Sequence, residues 1–319
     1  MKDYKLSYYL VITDVLDPES PTPNRMIYAT RSGKAMVIKD SIYQLLDSNN
    51  FKAIPTDIMS SLLTNRIIVR SSEDELATIL EENEIGIDSG TILEYTIQPG
   101  ANCQLGCSYC GQEHTNQMMS EEHQEKMLAR IDSMVEPKYD HLSISWYGGE
   151  PIMALKQIRS LTPRLKEIAK KHNLTYDASM VTNGLGLKET VFTELVGELD
   201  VNNFQITLDG MAEEHDQRRF TKKGGKTFDT ILKNIVTATN NPLYDEKDCS
   251  ILIRCNINHD NKEHIKRLVW HFASLNLQNK ITFDFQAVTD WGDNNASSNS
   301  MSKEEFGDYE IERMVEAIQ

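Results

Sequence analysis

The stretch TILEYTIQPGANCQLGCSYCGQEH, residues 91–114, sets an apolar run against a polar loop that carries three cysteines: Cys103, Cys107 and Cys110. The run TILEYTIQ has the β-branched and aromatic content of a strand. In the loop, the thiols are spaced by three residues and then two, with Gly106 and Gly111 supplying free backbone beside the sulfurs. Three thiolates leave a tetrahedral zinc ion one ligand short, and His114 is the candidate for a fourth. A four-iron cluster also has four attachment points, and three cysteines leave one iron open to an outside ligand. The residues alone admit both.

Working outward, the pattern after this loop is regular. Residues 120–135 read as a helix with Ser120 as N-cap, and HLSISWYGG as a strand running into a glycine turn. A helical stretch over 151–172 contains Pro163, which predicts a break or kink. Strands follow at LTYDASMV, VNNFQITL, SILIRCNIN and KITFDFQAV, with helices at KETVFTELVGEL, TFDTILKNIVTATN and KEHIKRLVWHFASL between them. Six strands alternating with five helices imply right-handed βαβ units and an α/β fold with a parallel sheet. Six units are short of a closed eight-fold barrel, so the expectation is a partial (β/α)6 TIM-like barrel, with a doubly wound sheet as the alternative.

The chain of 319 residues, 39% apolar and 25% charged, has ample material for a core and suggests about two domains. Residues 1–88 predict a small α+β domain: a hairpin turning at RSGK, two short helices, the strand RIIV, and a capped acidic helix from SSEDEL. The barrel is expected over 89–290, and 291–319 reads as the start of a C-terminal extension that lacks cysteines. Nothing approaches eighteen consecutive apolar residues, and the N-terminus lacks a signal-peptide pattern. A net charge of −15 opposes nucleic-acid binding. Five cysteines, three of them clustered, fit a reducing cytoplasmic setting in which thiols serve metal or catalysis.

Three of the predicted strands end in polar or glycine turns: YGGEP (Gly148, Gly149, Glu150), SMVTNG (Ser179, Asn183) and QITLDG (Thr207, Asp209). Ligands of parallel α/β folds bind at such strand ends, so these turns converge with the cysteine loop. Each has a plainer reading: a tight turn with Pro151 at the first helical position, an N-cap at Thr182, a solvated loop around Arg218 and Arg219.

Taken with the cysteine loop, the turns resemble those of the radical S-adenosylmethionine (SAM) enzymes. C-x3-C-x2-C with an aromatic, Tyr109, before the last cysteine is similar to that family's signature. The resemblance implies a [4Fe-4S] cluster on Cys103, Cys107 and Cys110, whose open iron binds SAM and whose reduction yields a 5′-deoxyadenosyl radical. It further implies Tyr109 near the adenine and Gly148, Gly149 and Glu150 as the motif that binds the methionine amino group. Ser179, Asn183 and Thr207 would contact the cofactor, and Arg219, in preference to Arg218, its carboxylate. Asp209, Arg254, Asn256 and Asn261 are weaker candidates, and Glu113, His114 and Asp209 are possible acids or bases.

The segment LDG with HD and Arg following, then GGKTFDTILKNI and RCNINHDN, resembles the SPASM-type peptide and protein maturases. That implies a ribosomally made peptide substrate with a leader, gripped by a winged-helix-like N-terminal domain, and a flavodoxin- or ferredoxin-like electron donor. A sulfatase-maturing enzyme, a radical enzyme on a small molecule and a non-catalytic zinc knot are the rivals. SPASM members carry further cysteines for auxiliary clusters, whereas here no cysteine follows Cys255. Cys249 and Cys255 are six apart in a strand pattern, on one face and too distant to share a cluster.

Overall fold

The computed structural model describes residues 3–290 and 296–318. Part of the polar segment expected to open the C-terminal extension, residues 291–295, lies outside them. The chain folds as two compact units: residues up to Gly90 together with those from Glu305 onward, and Thr91–Glu304.

The first unit contains strands β1 (Tyr4–Leu6), β2 (Leu10–Ile12), β3 (Asn24–Ala29), β4 (Lys34–Lys39) and β5 (Ile68–Arg70), and helices α1 (Asp40–Asp47), α2 (Thr56–Thr64) and α3 (Glu75–Ser89). β3 and β4 form the expected antiparallel hairpin, whose turn carries Gly33 at φ 64°. β2 pairs with β3, and β1 with β5, giving one three-stranded and one two-stranded sheet. α1 buries Ile42 and Leu46 at helical spacing against Ile27, Ile38, Leu62 and Ile68. The two short strands β1 and β2 are missed by sequence patterning because three residues carry no period. The edge of Glu75 is tied down: Ser7 Oγ and the Tyr8 amide donate to its carboxylate, and Arg31 pairs with it at 3.2 Å.

The second unit is built on six strands, β6 (Ile92–Ile97), β7 (His141–Trp146), β8 (Thr175–Thr182), β9 (Val201–Thr207), β10 (Ser250–Ile257) and β11 (Ile281–Ala287). They lie side by side in chain order, every neighbouring pair parallel. A doubly wound sheet reverses its strand order at a switch point. Here the order never reverses, so this is the winding of a partial (β/α)6 barrel. The helices are α4 (Glu121–Ser133), α5 (Leu155–Lys171), α6 (Glu189–Gly197), α7 (Ala212–Arg218), α8 (Phe228–Thr239), α9 (Pro242–Glu246) and α10 (Ile265–Ser274), whereas α11 (Lys303–Ile318) falls mostly in the first unit.

Strand alternation sorts the side chains. On β10, Ile251, Ile253, Cys255 and Ile257 are buried on one face, while Leu252, Arg254 and Asn256 share the other. Two expectations are corrected. α5 runs unbroken through Pro163, because Ile158, Leu161 and Leu165 on either side of the proline are fully buried in the core. That burial, about 1.5–3 kcal/mol for each side chain, outweighs the loss at one proline. Cys249 and Cys255 do not share a strand face: β10 begins at Ser250, the Cys249 amide is bonded to the Tyr244 carbonyl, and only Cys255 is a strand-core cysteine. All five cysteines are free thiols.

Candidate active site

A cavity of about 530 Å³ opens at the carboxyl ends of the barrel strands. Its floor and one wall are the loop after β6, with Cys103, Cys107, Tyr109, Cys110 and His114 on the lining. This loop has no regular structure of its own and is held by the segment after α7. The amides of Gly106, Ser108 and Lys222 donate to Phe220, Arg218 and Gln104 carbonyls, and Leu105 bridges Thr221. On its other side the Glu150 amide donates to the Asn102 carbonyl at 2.7 Å.

That last contact explains the glycine turn. Gly149 has φ 56°, and a Cβ there would lie 2.5 Å from the Asn102 carbonyl oxygen. The turn therefore packs backbone to backbone on the cysteine loop. The Gly149 amide is further held by Gln112 Oε1 at 3.0 Å. No sequence signal marks Gln112 for this, since the pair is 37 residues apart.

The structure brings Gly148, Gly149, Asn183, Thr207, Arg219, Arg254 and Asn256 onto the same lining as the cysteines, and adds Val181 and Thr182. Glu150 and Ser179 are not on it. Ser179 lies two residues below Val181 on β8, so it shares that strand's inward face one rung deeper. Glu150 is 1% exposed. Its Oε1 accepts from Thr182 Oγ1 at 2.7 Å and the Ile152 amide at 3.0 Å, and its Oε2 from the Asn183 amide at 2.7 Å. The carboxylate thus clamps the end of β8 to the glycine turn. Glu113 is exposed and off the cavity, and Asn261 is fully buried, donating to the Asp209 carbonyl at 2.7 Å.

The two adjacent arginines separate. Arg218 turns inward to Asn258 Oδ1, to the Asn256 carbonyl at 2.8 Å and to Asp209 at 3.5 Å. Arg219 reaches the cavity wall, donates one Nη to the Tyr109 hydroxyl at 2.7 Å, and leaves its buried Nε with no partner. The Tyr109 hydroxyl donates to Asp209 and also receives Asn256 Nδ2 at 3.1 Å. Burial, with Asp209 beside it, holds the Tyr109 phenol well above its ordinary range. The HD of the LDG segment is structural. His215 takes the Asp209 amide and faces Thr227, while Asp216 accepts the Thr227 and Phe228 amides that open α8. Burial, then the Arg219 charge, pulls His215 down to about 4, so it stays neutral.

Polar groups also face the sulfurs. Asn183 Nδ2 lies 3.7 Å from Cys103 Sγ and His114 Nε2 lies 3.8 Å from Cys110 Sγ. Burial pushes the Cys103 and Cys107 thiols up, while Arg219 pulls both back.

A family model of the radical SAM superfamily matches residues 97–269 of the 319. This chain belongs to the radical SAM superfamily. The match covers the cysteine loop, all three strand-end turns and the Arg219 segment.

Curated relatives include a serine-type anaerobic sulfatase-maturating enzyme of Bacteroides thetaiotaomicron, 30% identical over 43% of this chain and 34% of that protein. A cysteine-type anaerobic sulfatase-maturating enzyme of Clostridium perfringens is 25% identical over 58% of this chain and 50% of that protein. The radical SAM chain therefore spans about a third to a half of these relatives' length. Among solved structures, native anSMEcpe with bound AdoMet and a peptide superposes with a TM-score of 0.54 at 21% identity, over 69% of this chain and 58% of that one. That likeness is one of fold. No helix among the described residues is long and apolar enough to cross a membrane.

The residues fit the groups that superfamily membership implies, a [4Fe-4S] cluster and SAM. The three thiols line one cavity, the donor set of a four-iron cluster that keeps one iron open. The orphaned Arg219 Nε beside them is a donor in want of an anion.

Proposed function

We propose that this chain holds a [4Fe-4S] cluster on Cys103, Cys107 and Cys110, cleaves SAM reductively, and modifies a ribosomally made peptide at carbon. The observation that carries the reading is the juxtaposition of three cavity-lining thiols with the unpartnered Nε of Arg219. When bound and reduced, the cluster supplies one electron to SAM, which gives methionine and a 5′-deoxyadenosyl radical that removes a substrate hydrogen.

The chain's residues bind and orient. Arg219 offers its free Nε edge to the SAM carboxylate, and a guanidinium suits that two-oxygen geometry. Glu150 Oε2, which receives one hydrogen bond in the described structure, is the acceptor for the methionine ammonium, with the Gly148–Gly149 backbone beside it. Asn183, Thr207 and Ser179 serve the ribose and methionine side, and Tyr109 the adenine. Tyr147, Arg254 and the β11 end at Ala287, Val288 and Thr289 are lining residues offered to the substrate.

A peptide substrate is supported by the names of the sulfatase-maturating relatives and by the peptide in a structural neighbour. Those names also favour a second reading, oxidation of a Cys or Ser side chain in a sulfatase. The SPASM assignment belongs to the proposal as well. With no cysteine after Cys255, ligands for auxiliary clusters would come from outside these 319 residues. The first unit would grip the leader along the edge strand β4 of its three-stranded sheet. The setting is cytoplasmic, with an external electron donor.

The test is isotopic. Candidate peptides carrying deuterium at side-chain carbons are incubated anaerobically with reconstituted protein, SAM and reductant. Deuterium in the 5′-deoxyadenosine and a mass change in the peptide are expected. Label transfer from a small metabolite, with peptides inert, would contradict the peptide reading and leave the radical chemistry standing.

A further inference from the structure

On a chain of net charge −15, one surface segment is strongly basic. Between Asp216 and Asp229 the sequence holds five cations, Arg218, Arg219, Lys222, Lys223 and Lys226, and no acid. The two arginines are buried at the site, and the three lysines are exposed. None of the three lysines forms an ion pair among the described residues.

The lysines sit on a braced turn. The Thr221 amide donates to the Gly225 carbonyl at 2.9 Å, the Gly224 amide returns to Thr221 at 2.7 Å, and Gly225 N reaches Thr221 Oγ1 at 2.8 Å. Gly224 takes φ 79° to close it. The same turn is the backbone partner of the cysteine loop. The Lys222 amide donates to the carbonyl of Gln104, the residue after Cys103, at 2.9 Å, and Leu105 bridges Thr221. Bridged residues have Cα atoms about 5 Å apart. The exposed positive patch is therefore one hydrogen-bonded rung from the loop that carries the thiols.

We propose that Lys222, Lys223 and Lys226 form the docking surface for an acidic one-electron carrier protein. The inference rests on the cluster reading given above. The patch is basic on a chain of net charge −15, complementary to an acidic carrier, and it is hydrogen-bonded to the loop that carries the three thiols. One electron leaves the carrier's reduced flavin or iron–sulfur centre and enters the [4Fe-4S] cluster, lowering its charge state by one. No atom or proton changes hands. Long-range charge steering of this kind acts on association rate and fades with salt.

The test follows the loss of visible cluster absorbance in stopped flow, anaerobically, with reduced flavodoxin as the probe and dithionite as the small-molecule control. The triple variant Lys222→Glu/Lys223→Glu/Lys226→Glu is expected to lower the second-order rate with flavodoxin by about ten-fold or more at low salt. High salt is expected to erase the difference, and the dithionite rate to match the parent. Parent-like flavodoxin rates in the triple variant overturn the proposal. If the triple variant fails to hold its cluster, Lys223→Glu alone decides, with a smaller slowing expected and none overturning. A triple variant slowed only in turnover of an acidic peptide, with flavodoxin reduction intact, also overturns it and assigns the patch to substrate. A parent protein with no cluster that dithionite can reduce instead overturns the functional reading, and the docking surface with it.

Discussion

At the residue scale, the site is a set of backbone approaches stabilised by buried polar groups. Gly149 is the tightest of them. Gly149→Ala places a Cβ 2.5 Å from a carbonyl oxygen in a left-handed conformation, which costs about 1–3 kcal/mol in backbone strain before the clash is counted. The expected outcome is a melting point lower by several degrees and less iron retained after reconstitution, read by calorimetry and metal analysis. Arg219 is the second lever. Arg219→Lys keeps the charge but loses the fork, and SAM affinity by calorimetry is expected to fall about ten-fold or more, with the cluster intact. Unchanged affinity would remove Arg219 from the ligand. His215 gives a pH prediction. Its folded value of about 4 lies below the ordinary 6.5. Below pH 6.5 the unfolded chain takes up a proton that the folded chain refuses, so stability is present above that pH and lost as pH falls toward 4. The loss is about 3 kcal/mol at most. Denaturant melts from pH 7.5 to 4.5 should show this slope, and His215→Gln should flatten it.

At the element scale, the strand-end turns were legible in sequence because glycine and Asx residues interrupt apolar runs at the ends of strands. The uninterrupted strand order then placed them together. What patterning missed has physical causes. α7 and α9 are too short to show a helical period. Pro163 reads as a breaker only until the buried faces around it are known. The spacing of Cys249 and Cys255 predicts one strand face, but the chain enters β10 only at Ser250, with Cys249 held by the Tyr244 carbonyl. The two can be told apart by chemistry. Cys255 is fully buried on the core face of β10, and its thiol is pushed well above its ordinary range by burial and then Asp209. In native protein with the cluster in place, alkylation is expected at Cys249 well before Cys255. Cys255→Ser, which buries a hydroxyl without a designed partner, should cost about 1–3 kcal/mol. Equal labelling of both thiols would contradict the strand assignment.

At the scale of the whole molecule, the winding of the barrel was legible and the wiring of the site was not. Strand–helix alternation gives a parallel sheet, and six units give an open barrel. Nothing in the sequence says that Asp209 holds Tyr109, that Tyr109 braces Arg219, or that the Glu150 carboxylate holds Thr182 and the Asn183 amide. These contacts join residues 32 to 110 positions apart. They form two clusters, one tying the cysteine loop to the turn after β9 through Tyr109 and Asp209, the other tying the glycine turn after β7 to the end of β8 through Glu150.

Cluster-dependent cleavage of SAM is best tested by anaerobic reconstitution followed by reduction with dithionite in the presence of SAM. About four irons and four sulfides per chain and formation of 5′-deoxyadenosine are expected, with both lost when Cys103, Cys107 and Cys110 are replaced by Ala. Zinc in place of iron, or a four-iron protein that yields no 5′-deoxyadenosine, would contradict it.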